Sequence, residues 1–196
     1  MNRRTFLRSL SATAATVALI PAGIEQAAAA VNHAAPVAPA SKGLGRALKA
    51  PEIVPFPANY TEGMIVILLS RKKLYLTIGE GRAIAYPVAV GRSGKAWTGM
   101  ARIAGKQANP DWIPPSEVKH DNPNLPDIIP GGAPNNPMGP RALVLDRSEI
   151  AIHGTTASMR KSIGTAASYG CIRMYNEDVV DLFDRVRVGT PVVAIG

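Results

Sequence analysis

From Met64 onward the chain is apolar in short bursts, separated by polar or glycine-rich breaks. Ile65-Val66-Ile67-Leu68-Leu69 is a compact aliphatic run, and Arg71-Lys72-Lys73 interrupts it. Leu74-Tyr75-Leu76-Thr77-Ile78 follows, and Gly79-Glu80-Gly81 turns the chain tightly into residues 83–90. Short runs at hairpin spacing predict strands of an antiparallel meander. Strand character resumes at 142–145, at 150–153 and in a last segment at 190–195. One segment has a helical period instead: Val179, Val180, Leu182, Phe183 and Val186 fall on one face. Asn176 is placed to cap that helix, and Glu177 and Asp178 suit its positive end. Arg185 and Arg187 lie near its end, and Gly189 is the expected stop. Residues 105–140 are rich in Pro, Gly and Asn and predict long loops. Loops of that length inside a domain are usually functional. The pattern predicts a mostly β domain with a small helical component, one main C-terminal helix and no internal repeat.

The chain before that domain reads differently. Residues 31–61 are rich in Ala and Pro without a sustained period, as in a spacer. Residues 1–30 have the layout of an export signal. Arg3, Arg4 and Arg8 form a positive start, 9–20 is mildly apolar, and 27–30 offers small residues for cleavage. That apolar stretch is too short to span a bilayer as a helix. The run Arg3-Arg4-Thr5-Phe6-Leu7-Arg8 resembles the twin-arginine export motif, with Asn2 where Ser or Thr is usual. An ordinary secretory signal is the alternative. Either signal implies a periplasmic or cell-envelope location and no membrane span after processing.

Composition narrows the classes. The 196 residues carry a net charge of +8, from 22 Lys+Arg against 14 Asp+Glu. Residues 1–30 contribute three arginines and one acid, Glu25, so most of the excess belongs to the rest of the chain. With 46% hydrophobic and 18% charged residues, a packed core is expected and wholesale disorder is excluded. The basic balance suits an anionic partner such as wall polymer. Nucleic acid is disfavoured by the export signal and by scattered basic residues without an aromatic-interleaved stripe. The single cysteine, Cys171, excludes an internal disulfide and a cysteine-rich zinc site, and no cluster of metal ligands is visible.

The candidate chemistry lies in His153-Gly154-Thr155 and Ser168-Tyr169-Gly170-Cys171-Ile172-Arg173-Met174. A thiol reacts as thiolate and needs help to ionise, and Arg173 stands two residues away. Gly170 permits an unusual dihedral and a close substrate approach. Successive N–H groups at such a turn can face a developing oxyanion. His153 ends an apolar strand and is the natural base. His33 lies in the spacer and His120 in a loop, so both compete poorly. On the residues alone, a buried structural thiol stands beside the catalytic reading.

The stretch from His153 to Asp178 resembles the signature of the L,D-transpeptidase (YkuD) catalytic domain family: a histidine, 14 to 17 residues, then Ser/Thr-x-Gly-Cys and, in one branch, Ile-Arg-Met. The resemblance runs over about residues 62–196, through the opening hairpin, Trp112-Ile113-Pro114-Pro115, Gly139-Pro140-Arg141-Ala142-Leu143 and Gly189-Thr190-Pro191-Val192-Val193. Many members carry histidine where this chain has Tyr169.

The resemblance implies a β-sandwich or barrel-type domain without a cofactor. It implies that Cys171 attacks a peptidoglycan tetrapeptide stem, releases D-alanine and holds the acyl group as a thioester. An amine of a second stem or of a wall protein then takes that group. His153 would carry the protons, oriented by a backbone carbonyl. Gly170 and Cys171 N–H groups would form the oxyanion hole. Carbapenems would add to Cys171. Arg173, Ser168 and Tyr169 are candidate substrate contacts. Against these stand an ion pair with a local acid for Arg173, a turn role for Ser168, and packing for Tyr169 and Trp112. Arg141 is a candidate anion contact, with a structural role as its alternative. Hydrolysis of the same thioester and a non-enzymatic wall-binding domain are the alternatives to transfer.

Overall fold

The structure, a computed structural model, describes residues 52–196. The signal reading of 1–30 and most of the spacer reading lie outside the described residues. The spacer does not run to residue 61, because β1 (Glu52–Pro55) already pairs antiparallel with β4 (Arg82–Gly91). Its side chains conceal it: Ile53 is 56% exposed and Pro55 sits at the strand's last position. A sheet edge tolerates proline there.

β2 (Ile65–Leu68), β3 (Lys73–Thr77) and β4 form the expected antiparallel meander. The run at 65–67 is continuously apolar because both of its faces are covered. Ile65 and Ile67 enter one core, whereas Val66 joins Tyr75, Ala83 and Ala85 under Val54, Phe56 and Tyr60.

The sheet is mixed rather than purely antiparallel. β10 (Pro191–Ile195) pairs parallel with β2 and antiparallel with β5 (Gly99–Ala108). β6 (Arg141–Leu145) continues from β5, and β7 (Ala151–His153) from β6. β9 (Ile172–Met174) pairs parallel with β7 and antiparallel with β4 at Val88 and Ala89. That last pairing closes the sheet into a barrel-like form. β8 (Ala166–Ser168) adds a short parallel ladder on β4. The enclosed core includes Leu74, Val88, Ile103, Leu143, Ile152, Ile172 and Met174.

The main helix, α2 (Asn176–Arg185), packs on β6 and β7 through a face that buries Val179 and Leu182. It ends at Arg185, before Gly189, and Asn176 is its first residue, after Tyr175 at the cap. The expected loop region holds the end of β5 and a short helix, α1 (Ser116–Asp121). Trp112 and Ile129 exchange backbone hydrogen bonds of 2.8 Å across this region, and the buried Asn136 side chain donates to the carbonyls of Pro110, Ile129 and Pro130.

Candidate active site

The site is built on the parallel pair β7–β9. Ile152 stands beside Ile172 and His153 beside Arg173. Both isoleucines enter the core, so by strand alternation Ala151, His153, Cys171 and Arg173 share the other face. One step back in the register, Cys171 lies by Ala151. The motif histidine and cysteine are thus one strand apart and two residues along.

The turn 168–171 is cinched by its own groups. Ser168 Oγ donates to the Cys171 carbonyl at 2.6 Å and accepts from Gly170 N–H at 3.1 Å. Trp97 Nε1 donates to the Gly170 carbonyl at 3.1 Å. Gly170 has φ of +125°, where a side chain is strained, and a Cβ there would lie 2.8 Å from Ile150 Cδ1. Ser168 Oγ is thus engaged within the turn. Gly170 N–H, expected in the oxyanion hole, is committed to Ser168.

Cys171 is a half-buried free thiol whose Sγ donates to the Glu149 carbonyl at 3.4 Å. Glu149 aims that carbonyl from a left-handed conformation, φ of +59°. Burial pushes the thiol up, and the Glu149 carboxylate adds to this. The Ala151 backbone and the Arg173 charge pull it down.

His153 is 4% exposed. Burial first, then the neighbouring Arg173 charge, lowers its pKa to about 4, against the backbone of Gly154 and Pro137. Nδ1 is buried and makes no hydrogen bond to a described residue.

Arg173 is 8% exposed and donates from Nη1 to Ser162 Oγ at 2.7 Å. Its Nε is buried without a hydrogen-bond partner among the described residues, and burial lowers its pKa.

Cys171 opens onto a cleft of about 340 Å³. Trp112, Ile113, Pro114, Pro115 and Met138 form an apolar wall, and Asp111 and Glu149 bring the acidic groups. Arg173 and Tyr169 do not line it. Tyr169 turns away, and its hydroxyl donates to Asp121 Oδ2 at 2.6 Å. Arg141 donates from Nη1 to the Pro140 carbonyl at 2.8 Å, its guanidinium lies 5.3 Å from the Phe183 ring centre, and it does not line the cleft. Trp97, Glu149 and Ser162 were missed from sequence. A glutamate with positive φ has no turn signature, and Trp97 and Ser162 reach the site only through the fold. Among the described residues, no group of three or more His, Cys, Asp or Glu could hold a metal ion.

The family model for the L,D-transpeptidase catalytic domain, YkuD, matches residues 62–193. The chain belongs to this family. The Escherichia coli K12 protein named probable L,D-transpeptidase YbiS is 35% identical over 156 residues, covering 76% of this chain and 49% of that protein. The chain thus spans about half the length of such relatives. A solved L,D-transpeptidase from Mycobacterium smegmatis superposes with a TM-score of 0.54 at 16% identity, covering 68% of this chain and 58% of that one. The L,D-transpeptidase LdtMt1 in complex with imipenem gives a TM-score of 0.52 at 18% identity, covering 67% and 58%. At these identities the likeness is one of fold. The match to L,D-transpeptidase domains agrees with the barrel-type domain expected from the motif.

Proposed function

We propose that the chain is a peptidoglycan L,D-transpeptidase with Cys171 as nucleophile and His153 as base. The carrying observation is a thiol at an apolar cleft, held in a cinched turn, one strand from a histidine that burial keeps uncharged.

His153 takes the Sγ proton as Sγ attacks the carbonyl carbon of the third stem residue. The C–N bond to D-alanine breaks, and the leaving nitrogen takes that proton from His153. A thioester remains. An acceptor amine attacks its carbonyl carbon, gives a proton to His153, and expels Sγ, which recovers it. With Gly170 N–H engaged, Cys171 N–H is the donor assigned to the developing oxyanion. Arg173 acts through its charge, easing thiol ionisation and keeping His153 neutral, since it faces the pair but not the cleft. Substrate contact falls to the cleft wall instead of Arg173, Ser168 or Tyr169.

The acyl donor is a tetrapeptide stem, and the acceptor an amine of a second stem or a wall protein. Residues 1–30 direct export by the twin-arginine route to the envelope, where that polymer lies, and the Ala/Pro-rich spacer leads into the domain. Imipenem, bound in the LdtMt1 structure, serves as the covalent probe. Purified protein incubated with a disaccharide-tetrapeptide is expected to show, by mass spectrometry, an acyl-enzyme formed with loss of D-alanine, and dimer product. Cys171→Ala is expected to show neither, and no imipenem mass shift. An adduct on Cys171→Ala, or turnover without any adduct on wild type, would sink the assignment. Free tripeptide without dimer would identify hydrolysis.

A further inference from the structure

α1 is a weakly rooted element. It has six residues and buries none of them, so apolar packing does not hold it. Lys119 ties it to Leu125 and Asp127, which belong to its own loop. Its ties to the barrel are polar, and two of them meet at Asp121. Tyr169 donates to Asp121 Oδ2 at 2.6 Å, and Arg92 reaches the same oxygen at 3.3 Å. The Arg92 guanidinium lies over the Tyr169 ring, 3.9 Å from its centre. Arg92 and Lys95 also approach Glu117 Oε1, at 3.7 and 2.6 Å.

Both sides of this clamp rest on the turn that carries the nucleophile. Tyr169 is two residues from Cys171. Lys95 is two residues from Trp97, which donates to the Gly170 carbonyl. At its other end, α1 continues directly from Pro114-Pro115, whose fixed φ angles transmit its position to the cleft wall. Trp112, hydrogen-bonded to Ile129, anchors the far end of that wall.

We propose that Tyr169 is a positioning residue: it latches α1 to the Gly170-Cys171 turn and so sets the spacing between the apolar wall 112–115 and the nucleophile. The proposal rests on the transpeptidase reading, in which that wall receives the acyl donor. An exposed ion pair is weak alone and screened by salt. A hydroxyl donating to a carboxylate is stronger, and here it also orders Asp121 for Arg92. Tyr169→Phe keeps the ring under Arg92 and removes the hydroxyl, with its bond to Asp121 and its polar contact to Arg92.

The test compares wild type, Tyr169→Phe, Asp121→Ala and the double variant. Hydrogen exchange is followed across 112–121, and steady-state kinetics are measured with the disaccharide-tetrapeptide. Faster exchange at α1 is expected, with KM for the donor up by about tenfold and kcat changed less. Asp121→Ala also removes the Arg92 contact, and the double variant should lose less than the sum of the two singles, because the Tyr169–Asp121 bond is common to both. Raised salt should increase the wild-type KM more than that of Tyr169→Phe.

Unchanged exchange and KM in both single variants would overturn the latch. Faster exchange with unchanged KM would overturn its link to the cleft. Additive losses, or a fall in kcat alone, would place Tyr169 in the turn only. Should Tyr169→Phe fail to fold, Asp121→Ala on the exposed helix tests the same bond. Failure of the transpeptidase reading is separable: wild type would then show no imipenem adduct or turnover, while exchange at α1 still reports the latch.

Discussion

His153 and Cys171 are tuned in opposite directions by one cause, burial. A desolvated imidazole loses its proton more readily, and a desolvated thiol keeps its own. The resting pair is therefore neutral thiol and neutral imidazole, with proton transfer left to the reaction itself. The pH dependence follows in sign. In the proposed mechanism protonation disables the base, so with its pKa lowered to about 4, His153 would stay competent well below the range of an ordinary histidine near 6.5. The rate of imipenem acylation at pH 5.5 is expected to lie close to that at pH 7, with the acid limb near pH 4. A limb centred at pH 6.5 in a stopped-flow profile would contradict this. Both residues were nominated in the sequence by the family signature, since residue type and spacing alone left a buried structural thiol open. Their surroundings were not. Ser162 meets Arg173 and Glu149 meets the thiol across gaps in the chain that no local pattern spans.

Among the elements, the start of α2 shows how a local rule yields to tertiary contact. Asn176 has the side chain of a cap, yet its Oδ1 accepts the N–H of Thr155 at 2.7 Å, two residues past His153. A Cβ on Gly154 would lie 2.5 Å from that oxygen, so glycine is needed there for strand end and helix to meet. Asn176→Ala leaves the N–H of the buried Thr155 without its acceptor, at a cost of about 1–3 kcal/mol. Chemical denaturation should show this loss, together with lower turnover from a displaced His153. An unchanged midpoint would refute it. The strands with strong apolar runs were legible from sequence. β5 was not, because among its ten residues only Ala101 and Ile103 are buried. α1 was not, because it has no buried face to impose a period.

On the scale of the molecule, closure joins strands that are far apart in the chain. β10 lies between β2 and β5, and β9 seals β7 to β4. Charge and address also belong here. Arg3→Lys with Arg4→Lys is expected to retain the protein in the cytoplasm, read by fractionation. Normal export of that variant would favour the ordinary secretory route. By itself, the sequence determined the mostly β class, the meander and the main helix, because apolar period acts locally, and it nominated Cys171 and His153 through the family signature. Only the tertiary structure decided the mixed, closed sheet, the engagement of Gly170 N–H with Ser168, and the turn of Tyr169 toward α1. Those depend on register and on which buried groups find partners, and the folded barrel alone sets both.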